Sequence, residues 1–299
     1  MPSDRKVVYL ADLTHTGTVI SSNVHPLAVG LIGAYLCQEF GDRIRVELFK
    51  YPQDLTRAMD EKPPDVLGCS HYSWNSEISH AYARALKAKC PSSAVIFGGP
   101  NYGSTDVEIF QFWDHEPAVD FVVAGEGELA MAAIMRALLE YDMDVAALKS
   151  TRPDLPNTHY MLDDELIQGA RGPRIKSIAV MPSPYLMGIM DKFFDGKLTP
   201  MIQTTRGCPF SCTFCTEGDV YYSKVSKRRD IFDELEYIAE RIGDVPELHL
   251  SDSNFGEYKE DLGKAEQIRK VIDVHDWPKH IQVDGAKMSK ERLLECAAI

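Results

Sequence analysis

Three cysteines crowd one stretch of the chain, Arg206-Gly207-Cys208-Pro209-Phe210-Ser211-Cys212-Thr213-Phe214-Cys215, at C-x3-C-x2-C spacing. A short loop containing Gly and Pro can turn three thiolates inward around one inorganic centre. Thiolates are soft ligands that suit iron–sulfur clusters and zinc. The number three is informative. A 4Fe–4S cube held by Cys208, Cys212 and Cys215 keeps one iron open for a substrate or cofactor, whereas a structural zinc site is normally closed by a fourth Cys or His. Zinc, or three incidental thiols, are the competing readings. Soon after the loop comes a basic cluster, Lys224, Lys227, Arg228 and Arg229. It reads as a solvated face, or as a contact for an anionic substrate or an electron donor.

Three further loops are rich in glycine and polar groups: Ser70-His71-Tyr72-Ser73-Trp74-Asn75, Gly98-Gly99-Pro100-Asn101-Tyr102-Gly103 and Gly125-Glu126-Gly127-Glu128. Glycine permits positive φ and close approach of the backbone to a ligand. Each loop alone reads as a tight strand-to-helix turn, with Glu126 and Glu128 favourable near a helix start. Three of them at one sheet edge point to a flat ligand. No Walker-type loop is present, and no G-x-G-x-x-G follows a first strand, so nicotinamide binding is not expected.

The elements that must position these loops follow from periodicity. Residues 6–13 (KVVYLADL), 45–51, 65–71, 94–97 and 121–124 read as strands. Helices are expected over 26–40, with Pro26 in the first turn, over 76–90, and from the Gly125 loop to about Tyr141. Five strands with intervening helices predict an α/β fold with an open, parallel, doubly wound sheet, whose ligands sit at the carboxyl ends of the strands. The stretch to Pro200 differs: Pro153, Pro156, Pro173, Pro182 and Pro184 interrupt it, and 160–162 and 166–168 form a small hairpin around Asp163-Asp164-Glu165. From Pro200 a second alternation begins, with strands at 201–205, 247–251 and 281–284, helices at 229–242 and 261–275, and a last helix near Ser289. The expected division is 1–145 for the first domain, 146–199 for a linker and 200–299 for the second domain.

Composition agrees with two globular domains. The chain has 299 residues, 44% hydrophobic and 26% charged, against about 150 residues per domain. Its net charge of −13 argues against a general nucleic-acid or anionic-membrane surface. No uninterrupted apolar run reaches the ~18 residues of a membrane helix, and the start has neither the apolar core nor the cleavage site of a secretory signal. Seven cysteines, an odd number, fit a reducing cytoplasm better than a disulfide scaffold. Cys37, Cys69, Cys90 and Cys296 read as small buried hydrophobes.

Cys208, Cys212 and Cys215, with Phe214 just before the last cysteine, resemble the radical S-adenosylmethionine signature, placed as in that family after the first strand of a (β/α) barrel. The resemblance implies a 4Fe–4S cluster whose open iron chelates S-adenosylmethionine. Reductive cleavage then gives methionine and a 5′-deoxyadenosyl radical that abstracts hydrogen from the substrate. It also implies an adenine contact from the backbone near Phe214. That family often carries a Gly-Gly-Glu-like segment after the second barrel strand. Here the stretch is Leu250-Ser251-Asp252-Ser253-Asn254-Phe255-Gly256, in which Asp252, Ser253 and Asn254 could serve the methionyl amino or carboxylate group or form an Asx-type turn. Lys287, in Asp284-Gly285-Ala286-Lys287, reads as a solvated loop lysine, with a reach to a carboxylate as the alternative. Such barrels contain six βα units, and the residues after Pro200 accommodate about three, so only the first part of the barrel is expected, truncated within a helix at the carboxyl end.

The first domain resembles the cobalamin-binding domain that precedes the radical barrel in one large class of these enzymes. By that resemblance Ser70, Tyr72, Ser73, Asn75, Gly98, Gly99, Pro100, Asn101, Gly125, Glu126 and Gly127 would contact cobalamin. The Asp-x-His-x-x-Gly motif whose histidine ligates cobalt is absent: Asp12-Leu13-Thr14-His15-Thr16-Gly17 has the wrong spacing, and His25 and His71 are not obvious substitutes. Many enzymes of the class bind cobalamin without that ligand. The expected activity is cobalamin-dependent radical methyl transfer to an unactivated centre of a small molecule, with electrons from a partner such as flavodoxin or ferredoxin. The rivals are a radical cyclase, oxidase or rearrangement enzyme on the same scaffold, and a non-catalytic cobalamin- or metal-binding module.

Overall fold

Near-continuous apolar runs such as KVVYLA and VLGCS suit strands covered on both faces, the condition of a parallel sheet. The computed structural model describes residues 5–17, 20, 22–103, 105–228 and 230–299. It divides into a unit of residues 1–22 and Ala28–Pro173 and a second unit of Asn23–Leu27 and Arg174–Ile299.

The first unit runs β1 (Lys6–Ala11), α1 (Leu27–Phe40), β2 (Ile44–Phe49), α2 (Pro52–Glu61), β3 (Val66–Ser70), α3 (Ser76–Lys89), β4 (Ala94–Gly98), α4 (Asp106–His115), β5 (Phe121–Val123), α5 (Gly127–Glu140), α6 (Val145–Ser150), β6 (Thr158–Leu162) and β7 (Glu165–Gln168). The sheet order is β2-β1-β3-β4-β5-β6-β7. Its first five strands are parallel, in registers such as Val8↔Val66, Val66↔Ala94 and Ile96↔Phe121. Reversal of strand order beside β1 leaves a crevice at the carboxyl ends of β1 and β3. On one face Tyr9, Phe49, Leu67, Phe97 and Trp113 form a buried core, with Tyr9 edge-on to Phe49 at 4.8 Å.

Three helices escaped the sequence reading. All carry local start signals: Pro52 opens α2, Thr105 with Glu108 forms a capping box before α4, and Asp144 caps α6 by accepting from Ala147 N. Cys37 and Cys90, expected to be buried, are half-exposed, whereas Cys69 and Cys296 are buried. The presumed linker is also different. Its hairpin is β6–β7, which extends the sheet antiparallel from β5 through Val122↔His159 and buries Tyr160 completely. Residues 174–199 belong with the second unit, where buried Tyr185 donates to the Met201 carbonyl at 2.9 Å. Proline density marked irregular chain here, and packing made that chain structural.

The second unit contains β8 (Met201–Ile202), β9 (Thr205–Arg206), β10 (Ser226–Lys227), α7 (Phe232–Ala239), β11 (Glu247–Phe255), α8 (Glu260–His275), β12 (His280–Gly285) and α9 (Lys290–Ala298). Strands β12-β11-β8 form a parallel sheet, with α7 and α8 as crossovers. The strand expected over 201–205 breaks after Ile202, and Thr205–Arg206 turns aside to pair antiparallel with β10. The helix expected from Arg229 begins at Phe232, and Arg229 lies outside the described residues. Among the described residues no helix is long and apolar enough to cross a membrane.

His71, in the loop after β3, and His80 on α3 are buried against Phe97 and Phe112 with their Nε2 atoms 3.1 Å apart. His80 Nδ1 lies 3.0 Å from Glu116 Oε2. Burial pushes both imidazoles down to about 4. The unfolded chain, with histidines near 6.5, therefore binds more protons between those values. The stability from neutral burial is complete above about pH 6.5 and drains away as pH falls toward 4. Urea unfolding of the chain should show a lower midpoint at pH 5 than at pH 7.5, and His80→Gln should flatten that dependence. Equal slopes for wild type and variant between these pH values would refute the assignment.

Candidate functional site

The cysteine loop begins where β9 ends. Gly207 has φ +102°, and a Cβ there would lie 2.5 Å from the Tyr222 carbonyl oxygen, so the position demands glycine. Cys208 N donates to that same carbonyl at 3.0 Å. Arg174 braces the entry, donating to the carbonyls of Tyr221 and Arg206 at 3.2 Å each, with its guanidinium 5.3 Å from both tyrosine rings. The loop then folds back through Cys215 N to Cys212 O at 3.1 Å and Gly218 N to Cys215 O at 2.9 Å. Cys208 is buried, Cys212 intermediate and Cys215 exposed. Among the described residues no three His, Cys, Asp or Glu side chains stand together at metal-binding distance. The three thiols share one loop without converging on a point. The Phe214 side chain is 91% exposed.

The end of β11 meets this loop. Asp252 is buried and accepts from Thr204 N at 2.7 Å, Thr205 N at 3.0 Å and the Thr204 hydroxyl. Burial pushes its carboxyl up, and these hydrogen bonds oppose the shift. Ser253 donates to Glu217, just beyond Cys215. Asn254, also buried, donates through Nδ2 to Cys208 Sγ at 3.2 Å. The three polar residues after the second strand are thus beside the cysteines, but each is engaged by the chain itself. Lys287 departs from its reading as a purely solvated lysine: its Nζ donates to Asn254 Oδ1 at 2.6 Å and to the Ser253 carbonyl at 3.0 Å. Sequence spacing carries no sign of a link between residues so far apart.

The chemistry of the donor set fits a thiolate-bound cluster, and one further group supports it. Tyr258 follows β11 in a turn fixed by Asp261, which accepts from Gly256 N and Tyr258 N and pairs with fully buried Lys264 at 2.8 Å. The Tyr258 hydroxyl is buried without a hydrogen-bond partner. Burial raises its pKa, and the charge on Cys208 raises it further. A buried hydroxyl without a partner suits a ligand with acceptor atoms. The basic cluster is partly neutralised, since Lys227 pairs with Glu260 at 3.4 Å and Arg228 with Glu234 at 2.8 Å, while Lys224 is exposed.

In the first unit the glycine loops surround a cavity of about 170 Å³ between the sheet and the starts of α1 and α5. Ser70, Tyr72, Gly98, Gly99, Gly125 and Gly127 line it, with an apolar floor from Leu10, Val29, Ile32, Ile96 and Met131. Gly68 keeps it open: a Cβ there would lie 2.7 Å from Leu10 Cδ2. Gly99, at φ +134°, lets its loop pass so close to His71 that a Cβ would sit 2.6 Å from the His71 carbonyl oxygen. Ser73, Asn75, Pro100, Asn101 and Glu126 lie outside the lining. Asn75 is buried and structural, donating to Ser70 Oγ at 2.9 Å and accepting from Tyr72 N at 2.8 Å. Ser70 in turn donates to Asp12, which pairs with buried Lys50 at 2.8 Å. The sequence reading missed Trp74, half-exposed and stacked on Tyr72 at 4.4 Å. An aromatic residue in a ligand-facing loop was the available signal. The apolar floor had none, because cavity-lining and core residues share one composition.

Residues 14–135 match the B12 binding domain family. The chain is homologous to cobalamin-dependent radical SAM methyltransferases. It is 30% identical over 284 residues to the cobalamin-dependent radical SAM methyltransferase TokK of Streptomyces tokunonensis, covering 90% of this chain and 40% of that protein. The same identity and coverage relate it to the 2-(S-pantetheinyl)-carbapenam-3-carboxylate methyltransferase of Streptantibioticus cattleyicolor. The chain thus spans about 40% of the length of these curated relatives. The cobalamin-dependent S-adenosylmethionine radical enzyme OxsB with aqua-cobalamin bound shares the fold, with a TM-score of 0.66 at 16% identity over 99% of this chain and 42% of its own.

Removing the Asp252 carboxylate strands two buried backbone N–H groups. Asp252→Ala should cost about 3 kcal/mol of stability in chemical denaturation. A loss below about 0.5 kcal/mol, the range of an ordinary surface substitution, would show that the carboxylate is not the brace.

Proposed function

We propose that the chain is the cobalamin-binding and cluster-binding portion of a radical S-adenosylmethionine methyltransferase acting on a small molecule. The second unit is then the opening part of a (β/α) barrel. The observation that carries this reading is one chain holding both a glycine-framed cavity within a B12 binding domain and a three-cysteine loop whose first thiol is buried and hydrogen-bonded. When bound, a 4Fe–4S cluster with an open iron supplies the electron that cleaves S-adenosylmethionine, and a corrinoid supplies the transferred methyl group.

The chain's own residues have separable tasks. Cys208, Cys212 and Cys215 would hold the cluster, with Gly207 and Arg174 fixing the first of them. Asp252 fixes the backbone leading into the loop, and the exposed Phe214 segment remains open to the nucleoside. The buried Tyr258 hydroxyl would offer a hydrogen-bond donor to a bound group. In the first unit the apolar floor would exclude water around a buried portion of the corrinoid, and Ser70, fixed by Asp12 and Asn75, presents a polar edge. The electron donor would be a small low-potential protein of the flavodoxin or ferredoxin kind.

Anaerobic reconstitution with iron and sulfide should give about four irons per wild-type chain, and Cys212→Ala should lose most of them. With reductant and S-adenosylmethionine, wild type should release 5′-deoxyadenosine and the variant none. Zinc in place of iron, with no deoxyadenosine, would establish a metal-binding module instead. For the first unit, Gly68→Val should crowd the cavity and lower the thermal midpoint, because Leu10 must shift to admit the new side chain. At temperatures where circular dichroism shows the variant folded, it should weaken hydroxocobalamin binding at least tenfold in a spectroscopic titration. Unaltered affinity would place the corrinoid elsewhere.

A further inference from the structure

We infer that Asn254, oriented by Lys287, is a positioning residue that sets the reduction potential of the cluster through the sulfur of Cys208. The inference rests on the cluster reading above and adds to it a device for tuning. Asn254 is 1% exposed and its Nδ2 lies 3.2 Å from Cys208 Sγ. An amide can face a sulfur with either end, and the two ends have opposite effects. Lys287 decides the matter. Its ammonium has donors and no acceptor, so the atom 2.6 Å away must be the amide oxygen. The amide nitrogen is then forced toward the sulfur. The Ser253 carbonyl, 3.0 Å from the same ammonium, fixes Lys287 in place.

The result is a chain of donors running from a cation through an amide to a thiolate. The positive charge polarises the amide and strengthens the N–H···S bond, whose own two partners are buried. Reduction by one external electron adds negative charge to the cluster and its thiolate sulfurs. A hydrogen bond to sulfur stabilises that reduced state more than the oxidised one, and so raises the potential. Cys208 is the most buried of the three ligands, where such a bond counts most. Asn254 is therefore assigned to the sulfur rather than to the methionyl group of the nucleoside cofactor.

The test is an EPR-monitored redox titration of the anaerobically reconstituted chain. Asn254→Leu should make the cluster harder to reduce by about tenfold in equilibrium constant, a negative shift of ~59 mV for one electron. Asn254→Asp, which puts charge of the wrong sign at the same place, should shift it further. Lys287→Met should shift it in the same direction by less, and Lys287→Arg should restore the wild-type value. Lys287 is exposed, so its variants should fold and load iron even if Asn254→Leu does not. Variants that load iron like wild type and keep its midpoint within threefold in equilibrium constant overturn the inference and leave the cluster reading intact. A wild-type chain that holds no cluster overturns both.

Discussion

The buried carboxylate of Asp252 is the interaction on which the second unit is built. It sits within β11, three residues before its end, and accepts from the backbone N–H groups of two successive residues, Thr204 and Thr205. Those groups would otherwise continue β8 in the parallel sheet. Drawn to the carboxylate, the chain leaves the sheet after Ile202 and turns aside, and that turn delivers Gly207 and Cys208 to β11. Burying a carboxylate is costly, and three hydrogen bonds from fixed donors offset the cost. A second buried pair, Asp261 with Lys264, secures the turn that follows β11 and carries Tyr258. Charged groups thus define the backbone around the cysteine loop, and the Asn254 amide is left to meet the Cys208 sulfur.

The first unit solves a different problem. A large, partly apolar ligand needs space inside a sheet whose strands are otherwise packed on both faces. Space is made by leaving side chains out: Gly68 within β3, and Gly98, Gly99, Gly125 and Gly127 at the strand ends. The loops are kept from collapsing by polar ties on the same edge. Lys50, Asp12, Ser70 and Asn75 form a continuous chain of contacts from β2 through the β1 loop and β3 to the start of α3. On the other side of the sheet, His71 and His80 fill the core beneath the same loop as neutral rings. That face is rigid because it is full, and the opposite face is receptive because it is not.

Much of this was legible in the residues. The five parallel strands announced themselves as apolar runs, and the cysteine spacing and the three glycine loops were found without coordinates. The antiparallel edge β6–β7 was visible as a hairpin, but its membership of the first sheet was not, because Val122↔His159 pairing uses backbone groups that every residue possesses. Helices α2, α4 and α6 were overlooked despite their start signals. Asp252, Ser253 and Asn254 stand out in the sequence as a polar group, and the structure brings all three beside the cysteine loop, whereas their individual partners depended on which way each side chain faced along a strand.

What the sequence by itself determined was composition and local order: apolar runs that must be buried, glycines where no side chain fits, and thiols at a spacing suited to one centre. These are short-range facts, fixed by covalent geometry and by the period of each element. The tertiary structure alone decided that Asn254 meets Cys208, that Lys287 turns the amide, and that six glycine-loop residues line one cavity while five others do not. Those outcomes join positions dozens of residues apart, and they arise only when the folded backbone brings donors within about 3 Å of their acceptors.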